Sequence, residues 1–434
     1  MARSGYKRTQ AICFQVAINF LLIAPLINKS AAQNSPDADV SPNVSVTERF
    51  LSRPRGETGI PIGLWQIDPS LSVTSSYVDN VFIDSPDDRV SDGIVTAGGA
   101  VTATTRWSVH EVQLRAGAAR TTYVDNDTEN FTNVEIDARG RFDFGRSSDI
   151  TVAGNYVSSV EQRTVLQTAA GAEQPVRFSQ LGGGATLNLR QTRFREEIGF
   201  RFSNIDFDDA IDASDGSVID QDFRDQDIYE AYYRQYIRLR PALEGFVQAE
   251  GRQRRFDNSQ IGIGATQDSD SFTVTGGIAF DIQKAARGEI GIGYQREDFE
   301  SDAFADFGGF SASAALELFV SDLTTVTIEG QRGIVPSAVI GAGGFFSSRA
   351  AANVDHELLR NLLLSVGAEY RLEEFQDIDR SDTTFQTNLA ATYLIGRSVG
   401  LVAEYQYTDV TSDGLLARQP FDQNIFRLSL EYRP

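Results

Sequence analysis

From Leu64 onward the chain repeats one unit: about ten to fourteen residues alternating apolar and polar, a turn, then another such stretch. Ile67, Pro69, Leu71 and Val73 form one apolar set, and Val134, Ile136, Ala138, Gly140, Phe142 and Phe144 another. Phe272 to Ile282, Leu362 to Tyr370 and Val399 to Tyr407 repeat the pattern at every second residue. A strand points successive side chains to opposite faces, so each set lies on one side of a sheet. The pattern predicts about eighteen strands, with sixteen to eighteen as the range, each long enough to cross a bilayer as a barrel stave. The last one is "NIFRLSLEYRP". Phe426, Leu428, Leu430 and Tyr432 are predicted to face lipid; Arg427, Ser429 and Glu431 are predicted to face the interior. This strand must pair with the first, because an open edge in hydrocarbon leaves backbone groups without partners.

The connections alternate in length. Residues 145–149, 191–193, 284–287, 321–323, 358–361 and 396–398 are short, whereas 79–93, 208–226, 257–270 and 409–424 are long and mostly acidic. Short turns on one rim and long loops on the other are the mark of an up-and-down membrane barrel, with the short turns in the periplasm. The fold class expected is all-β, a transmembrane antiparallel up-and-down β-barrel over residues 61–434.

Ahead of the barrel, Arg3, Lys7 and Arg8 precede an apolar core from Ala11 to Ile27, and Ser30-Ala31-Ala32 offers small residues for cleavage. This is a secretory signal layout over 1–32, with a retained helical anchor as the alternative reading. Residues 33–60 are rich in Pro, Ser, Asn and Asp and read as a flexible periplasmic lead-in. The single cysteine, Cys13, lies within the signal, so the mature chain has no thiol chemistry. After the signal, no apolar run reaches the eighteen residues a spanning helix needs. The formal charge of −21 argues against nucleic acid, which selects basic faces.

The opening "RFLSRPRGETGIPIGLWQIDPSLSVTSSYVDNVF" resembles the BBP2-like outer-membrane β-barrel porins associated with exopolysaccharide gene clusters. The matching positions are Arg53, Pro54, Gly59, Pro69, Tyr77, Asp79 and Asn80, with "TTRWSVHEVQLRAG" further on. Arg55-Gly56-Glu57 departs from the family's acidic-aromatic-proline stretch. The aromatic-ended last strand resembles the signal read by barrel-insertion machinery, although Arg433 and Pro434 follow Tyr432. The resemblance implies a Gram-negative outer-membrane location, transport, and an accessory role in exopolysaccharide production or export. Its partners would be outer-membrane lipid and lipopolysaccharide, the insertion machinery, and polysaccharide-export components.

The densest basic patch comprises Arg193, Arg195 and Arg201 on one predicted strand, Arg234, Arg238 and Arg240 on the next, and Arg252 and Arg254 on a third. Two readings stand. An open arginine ladder in the lumen attracts anions. Alternatively, the arginines pair with Glu196, Glu197, Glu230, Glu244 and Glu250, since buried charge requires a partner. "DSPDD" at 84–88 and "DASDG" at 212–216 read either as divalent-cation sites or as solvated loops, and neither has EF-hand spacing. His110 and His356 are both placed at the periplasmic rim with no catalytic neighbour, and no Cys/His metal spacing occurs. No enzyme activity, cofactor or metal is expected. The function expected is a porin-like channel; the alternative is a non-conducting structural or assembly barrel acting through its lead-in or outer loops.

Overall fold

The computed structural model describes residues 43–51, 59–85, 87–145, 147–163, 171–260, 262–337 and 339–433. The signal region, Cys13, Arg53 and Pro54 lie outside them. Eighteen long strands follow in chain order. They are β1 (Trp65–Val78), β2 (Asp92–Thr105), β3 (Glu111–Tyr123), β4 (Phe131–Phe144), β5 (Ser148–Val160) and β6 (Arg177–Arg190). Next come β7 (Phe194–Phe207), β8 (Gln226–Arg240), β9 (Leu243–Phe256), β10 (Ser269–Ile282), β11 (Ala286–Phe299) and β12 (Phe307–Ser321). The last six are β13 (Thr324–Pro336), β14 (Gly344–Leu359), β15 (Leu362–Phe375), β16 (Ser381–Ile395), β17 (Val399–Asp413) and β18 (Phe421–Tyr432). Each pairs antiparallel with its sequence neighbour, and β18 pairs with β1, Tyr432 opposite Leu71 and Ile425 opposite Val78. The sheet is therefore closed. The expected up-and-down barrel is the fold.

Period-two patterning explains the two surfaces. On β18, Phe426, Leu428 and Leu430 are about half exposed on the outside, at 53%, 51% and 50%. Arg427, on the opposite face, is 8% exposed. The same parity runs round the ring: Leu71, Val73 and Tyr77 on β1, Ile136 and Phe142 on β4, Phe272 and Val274 on β10, and Val366 and Tyr370 on β15 are all exposed apolar residues of the outer face. In a soluble protein so many exposed apolar side chains in one band would drive aggregation. Around a closed barrel they form the lipid-facing belt. The short turns, such as 191–193, 241–242, 322–323 and 396–398, all fall on one rim, and the loops of the opposite rim are longer.

Within the segment expected to be a lead-in, the described residues 43–51 pack against the barrel. A short helix, α1 (Val46–Leu51), begins with a capping box: Ser45 N–H donates to Glu48 Oε2 at 3.0 Å, and Glu48 N–H donates to Ser45 Oγ at 3.1 Å. Val46 and Phe50 are completely buried with Leu363 and Leu394.

Candidate functional site: the inner wall and the closing seam

Strand register settles which arginines reach the lumen. Arg195 and Arg201 share the inward face of β7, and Arg234 that of β8, where Arg201 stands opposite Glu230 and Arg234 opposite Glu197 as outward and inward residues alternate. Arg252 and Arg254 occupy the inward face of β9, opposite Glu230 and Ile228. Arg193, Arg238 and Arg240 do not join them. Arg193 lies in the turn between β6 and β7, Arg238 and Arg240 at the end of β8, and all three are exposed at the short-turn rim.

The five inward arginines are paired. Arg195 bonds Glu197 and, at 3.2 Å, Glu244, while its guanidinium stacks 3.5 Å above the Tyr236 ring. Arg234 bonds Glu289 at 2.9 Å and the Tyr236 hydroxyl at 2.8 Å. Glu230 accepts from both Arg201 and Arg252, the latter at 2.9 Å, and Arg252 also bonds Glu250 at 2.9 Å. Arg254 meets Glu297 at 3.4 Å, and Ser269 Oγ donates to the same carboxylate at 2.7 Å. The arrangement is a set of separate ion-pair clusters over β7 to β11, not an open arginine ladder. Glu196, one of the acids expected in it, stands outside: its parity puts it on the outer face, opposite Gln235. Glu289 and Glu297, both on β11, were not anticipated, because only the pairing of β9, β10 and β11 brings them within reach.

Elsewhere the inner wall follows the same rule. Arg115 bonds Glu135 at 2.6 Å, Arg349 bonds Glu329 at 3.0 Å and Glu369 at 2.8 Å, and Arg427 bonds Glu404 at 2.9 Å. Acids are in excess over basic side chains on β12 to β15, where Glu317, Glu329, Asp355, Glu357, Glu369 and Glu373 share the inward face with Arg349 and Arg371. On β1 and β2 the inward face is hydroxyl-rich, with Ser70, Ser72, Thr74, Thr96 and Thr102.

The family-like residues cluster at the seam. Asp79 accepts from Asn424 N–H and Nδ2, both at 2.7 Å, and from Arg89 at 3.4 Å. Asn80, completely buried, donates to the Asp422 carbonyl at 3.0 Å and to Asp84 O at 2.9 Å, and its own carbonyl accepts from Gln423 Nε2. These two residues clamp the outer end of β1 to β18. Tyr77 stands opposite Phe426 on the outer face. Below Leu71, β18 no longer runs beside β1; Ile60–Ile62 folds back to pair with Trp65–Ile67 instead. Pro69 falls in the stretch between, where a missing N–H costs no ladder bond. Gly59 has φ +92°, and a Cβ there would come within 2.3 Å of Asp68 Oδ1, so only glycine fits.

His110 lies in the short turn before β3 and accepts from Asp143 N–H at 3.1 Å, and His356 sits near the end of β14, bonded to Thr324 at 2.9 Å. On the long-loop rim, the exposed carboxylates of Asp209, Asp220 and Asp222 converge within 4.8 Å, and Asp209 raises the Asp222 carboxyl above its ordinary range.

An apolar outer belt around a polar, charge-paired interior defines a transmembrane barrel of the porin class. The chain belongs to the family described as "Putative beta-barrel porin 2", whose model matches residues 53–433. Its place is the bacterial outer membrane. Among curated proteins none matches. Solved structures similar to it include OpdO of Pseudomonas aeruginosa, 12% identical with TM-score 0.42, covering 85% of this chain and 97% of that one. The outer membrane protein OpdK from Pseudomonas aeruginosa is 11% identical with TM-score 0.45, covering 85% and 98%. OccAB4 of Acinetobacter baumannii is 11% identical with TM-score 0.44, covering 88% and 100%.

Proposed function

We propose that this porin-like barrel passes hydrophilic solutes that are neutral or cationic, and that it serves exopolysaccharide production or export. The observation carrying the reading is the inner wall itself: largely polar, its arginines neutralised by carboxylates, its β12 to β15 face acidic. A ring of eighteen strands is wide enough for an aqueous channel. Paired guanidinium groups exert little field beyond about one Debye length, roughly 8 Å at physiological salt, so an anion gains nothing from entering. Hydroxyl groups on β1 and β2 and paired charges opposite suit a polyhydroxylated solute that exchanges water for wall hydrogen bonds. The saccharide context comes from the family resemblance.

Planar-bilayer recording tests the channel. Open steps with a reversal potential on the cation side of a salt gradient are expected. Anion preference overturns the assignment of the wall. A correctly folded, silent barrel favours the structural or assembly reading instead. For the cellular role, deletion and complementation with secreted polysaccharide as the readout is the test, and unchanged secretion removes the exopolysaccharide assignment while leaving the channel intact.

A further inference from the structure

The described part of the lead-in lies in the mouth of the barrel. Asn43 donates to Asp281 Oδ1 and, at 3.0 Å, to the Ile282 carbonyl at the end of β10, and it accepts from Lys284 N–H. Arg287 on β11 donates to the Asn43 carbonyl at 3.1 Å and to Glu48 at 3.1 Å. Val46 N–H donates to Thr325 Oγ1 at 3.0 Å on β13. Arg49 reaches the Asp322 carbonyl and lies 3.7 Å from Glu357 on β14. Phe50 and Leu51 pack on Leu363 of β15 and Leu394 of β16. Asp281, Arg287, Thr325, Glu357 and Leu363 all have inward parity, and each lies within a few residues of the short-turn end of its strand. Residues 43–51 thus run along the inside of the periplasmic rim from β10 to β16. That is about a third of the ring, directly in the path of any solute.

We propose that residues 43–51 are a built-in restrictor of the periplasmic mouth, a strap that narrows the channel while docked and widens it when released. The proposal rests on the channel reading above. Its fastening supports a releasable device. Helix α1 is six residues long, too short to hold its form alone, so it is helical only while docked. It is fastened by three apolar side chains, Val46, Phe50 and Leu51, and by polar ties to the rim, of which the exposed Arg287–Glu48 tie is open to replacement by periplasmic water. Eighteen strands spaced about 4.8 Å and tilted about 40° enclose a mouth of about 25 Å once side chains are allowed for. The whole strap, about 10 Å across and helical over about 9 Å of its length, laid along a third of that rim, covers about a third of the opening.

The test compares the wild-type barrel with Val46→Asp/Phe50→Asp and with in-frame removal of residues 43–51. Folding is checked by heat-modifiable gel mobility. Leu363→Cys, on a mature chain otherwise free of cysteine, reports undocking by its rate of reaction with a membrane-impermeant maleimide, and serves as the docked baseline when its conductance equals that of the wild type. Undocked barrels are expected to label faster at Leu363→Cys and to conduct about 1.5-fold more per open channel, in line with the area a helix of that width uncovers. Faster labelling with unchanged conductance overturns the restrictor and leaves the channel standing. Silence of wild type and variants alike removes the channel reading and the restrictor with it. Failure of both variants to insert makes the strap part of the folding core, which also overturns the proposal.

Discussion

Leu428→Arg puts the two faces of the barrel to their sharpest test. Leu428 stands on the outer face of β18, between Ala403 of β17 and Ser75 of β1, and is 51% exposed. It lies four positions from Tyr432, whose aromatic ring is at the periplasmic end of the strand. At about 3.3 Å per residue and a tilt of about 40°, that offset is about 10 Å of depth, near the middle of an apolar band about 25 Å tall. A guanidinium there costs about 2–4 kcal/mol. Ser429, one residue on, faces inward and bonds Thr74 Oγ1 at 2.8 Å, so Ser429→Ala loses one hydrogen bond, about 1 kcal/mol. Reversible urea unfolding into lipid vesicles reads both. The arginine variant is expected to unfold at distinctly lower urea and to insert poorly; the alanine variant should shift only slightly. Equal shifts for the two would refute the face assignment on which the barrel reading depends.

Arg195→Gln leaves Glu197 and Glu244 buried without their counter-charge, and about 3–5 kcal/mol of stability should be lost, whereas exposed Arg238→Gln should stay within about 0.5 kcal/mol; unfolding midpoints check both. Burial pushes the Asp225 carboxyl up to about 6 from its ordinary 3.8, with Asp206, Asp222 and Asp257 acting in the same direction. The folded loop therefore holds its proton more tightly than the unfolded one, so loop 208–225 should lose protection as pH rises from about 4 through 6, seen as faster amide exchange after correction for the intrinsic pH effect, and Asp225→Asn should flatten the profile. In intact cells Ser214→Cys is expected to react with an impermeant maleimide and Ser147→Cys is not; the opposite result would invert the barrel in the membrane.

Much of this architecture was open to reading from residue order, because a barrel in lipid imposes one rule at every position. Alternation in "FTVTGGIAFDI" or "LLLSVGAEY" is a direct consequence of having hydrocarbon on one side and water on the other. Partner choice in the lumen was less accessible. Parity puts Arg234 inside, but its tie to Glu289 crosses from β8 to β11 and depends on the stagger of three junctions. Parity was also misapplied to Glu196, and it has no meaning for Arg193, which lies past the end of its strand. The strap escaped for another reason. Its capping box, Ser45 with Glu48, was legible, but its burial is provided by Thr325, Leu363 and Leu394, hundreds of positions away, in a stretch whose composition reads as solvent-exposed.

The seam has a mechanical meaning. The overlap of Leu71–Val78 with Ile425–Tyr432 is the shortest of the eighteen junctions in the ring. Such a joint is loaded like a zipper at whichever end opens first, and its two ends are built differently. The outer end carries rivets, Asp79 and Asn80 gripping Asp422, Gln423 and Asn424, with Arg89 bridging across. The inner end has only a folded hem, the Ile60–Ile62 return beside Trp65. A tear under tension would start at the hem and stop at the rivets, so a barrel pulled by its ends should part along this line while the other staves stay joined.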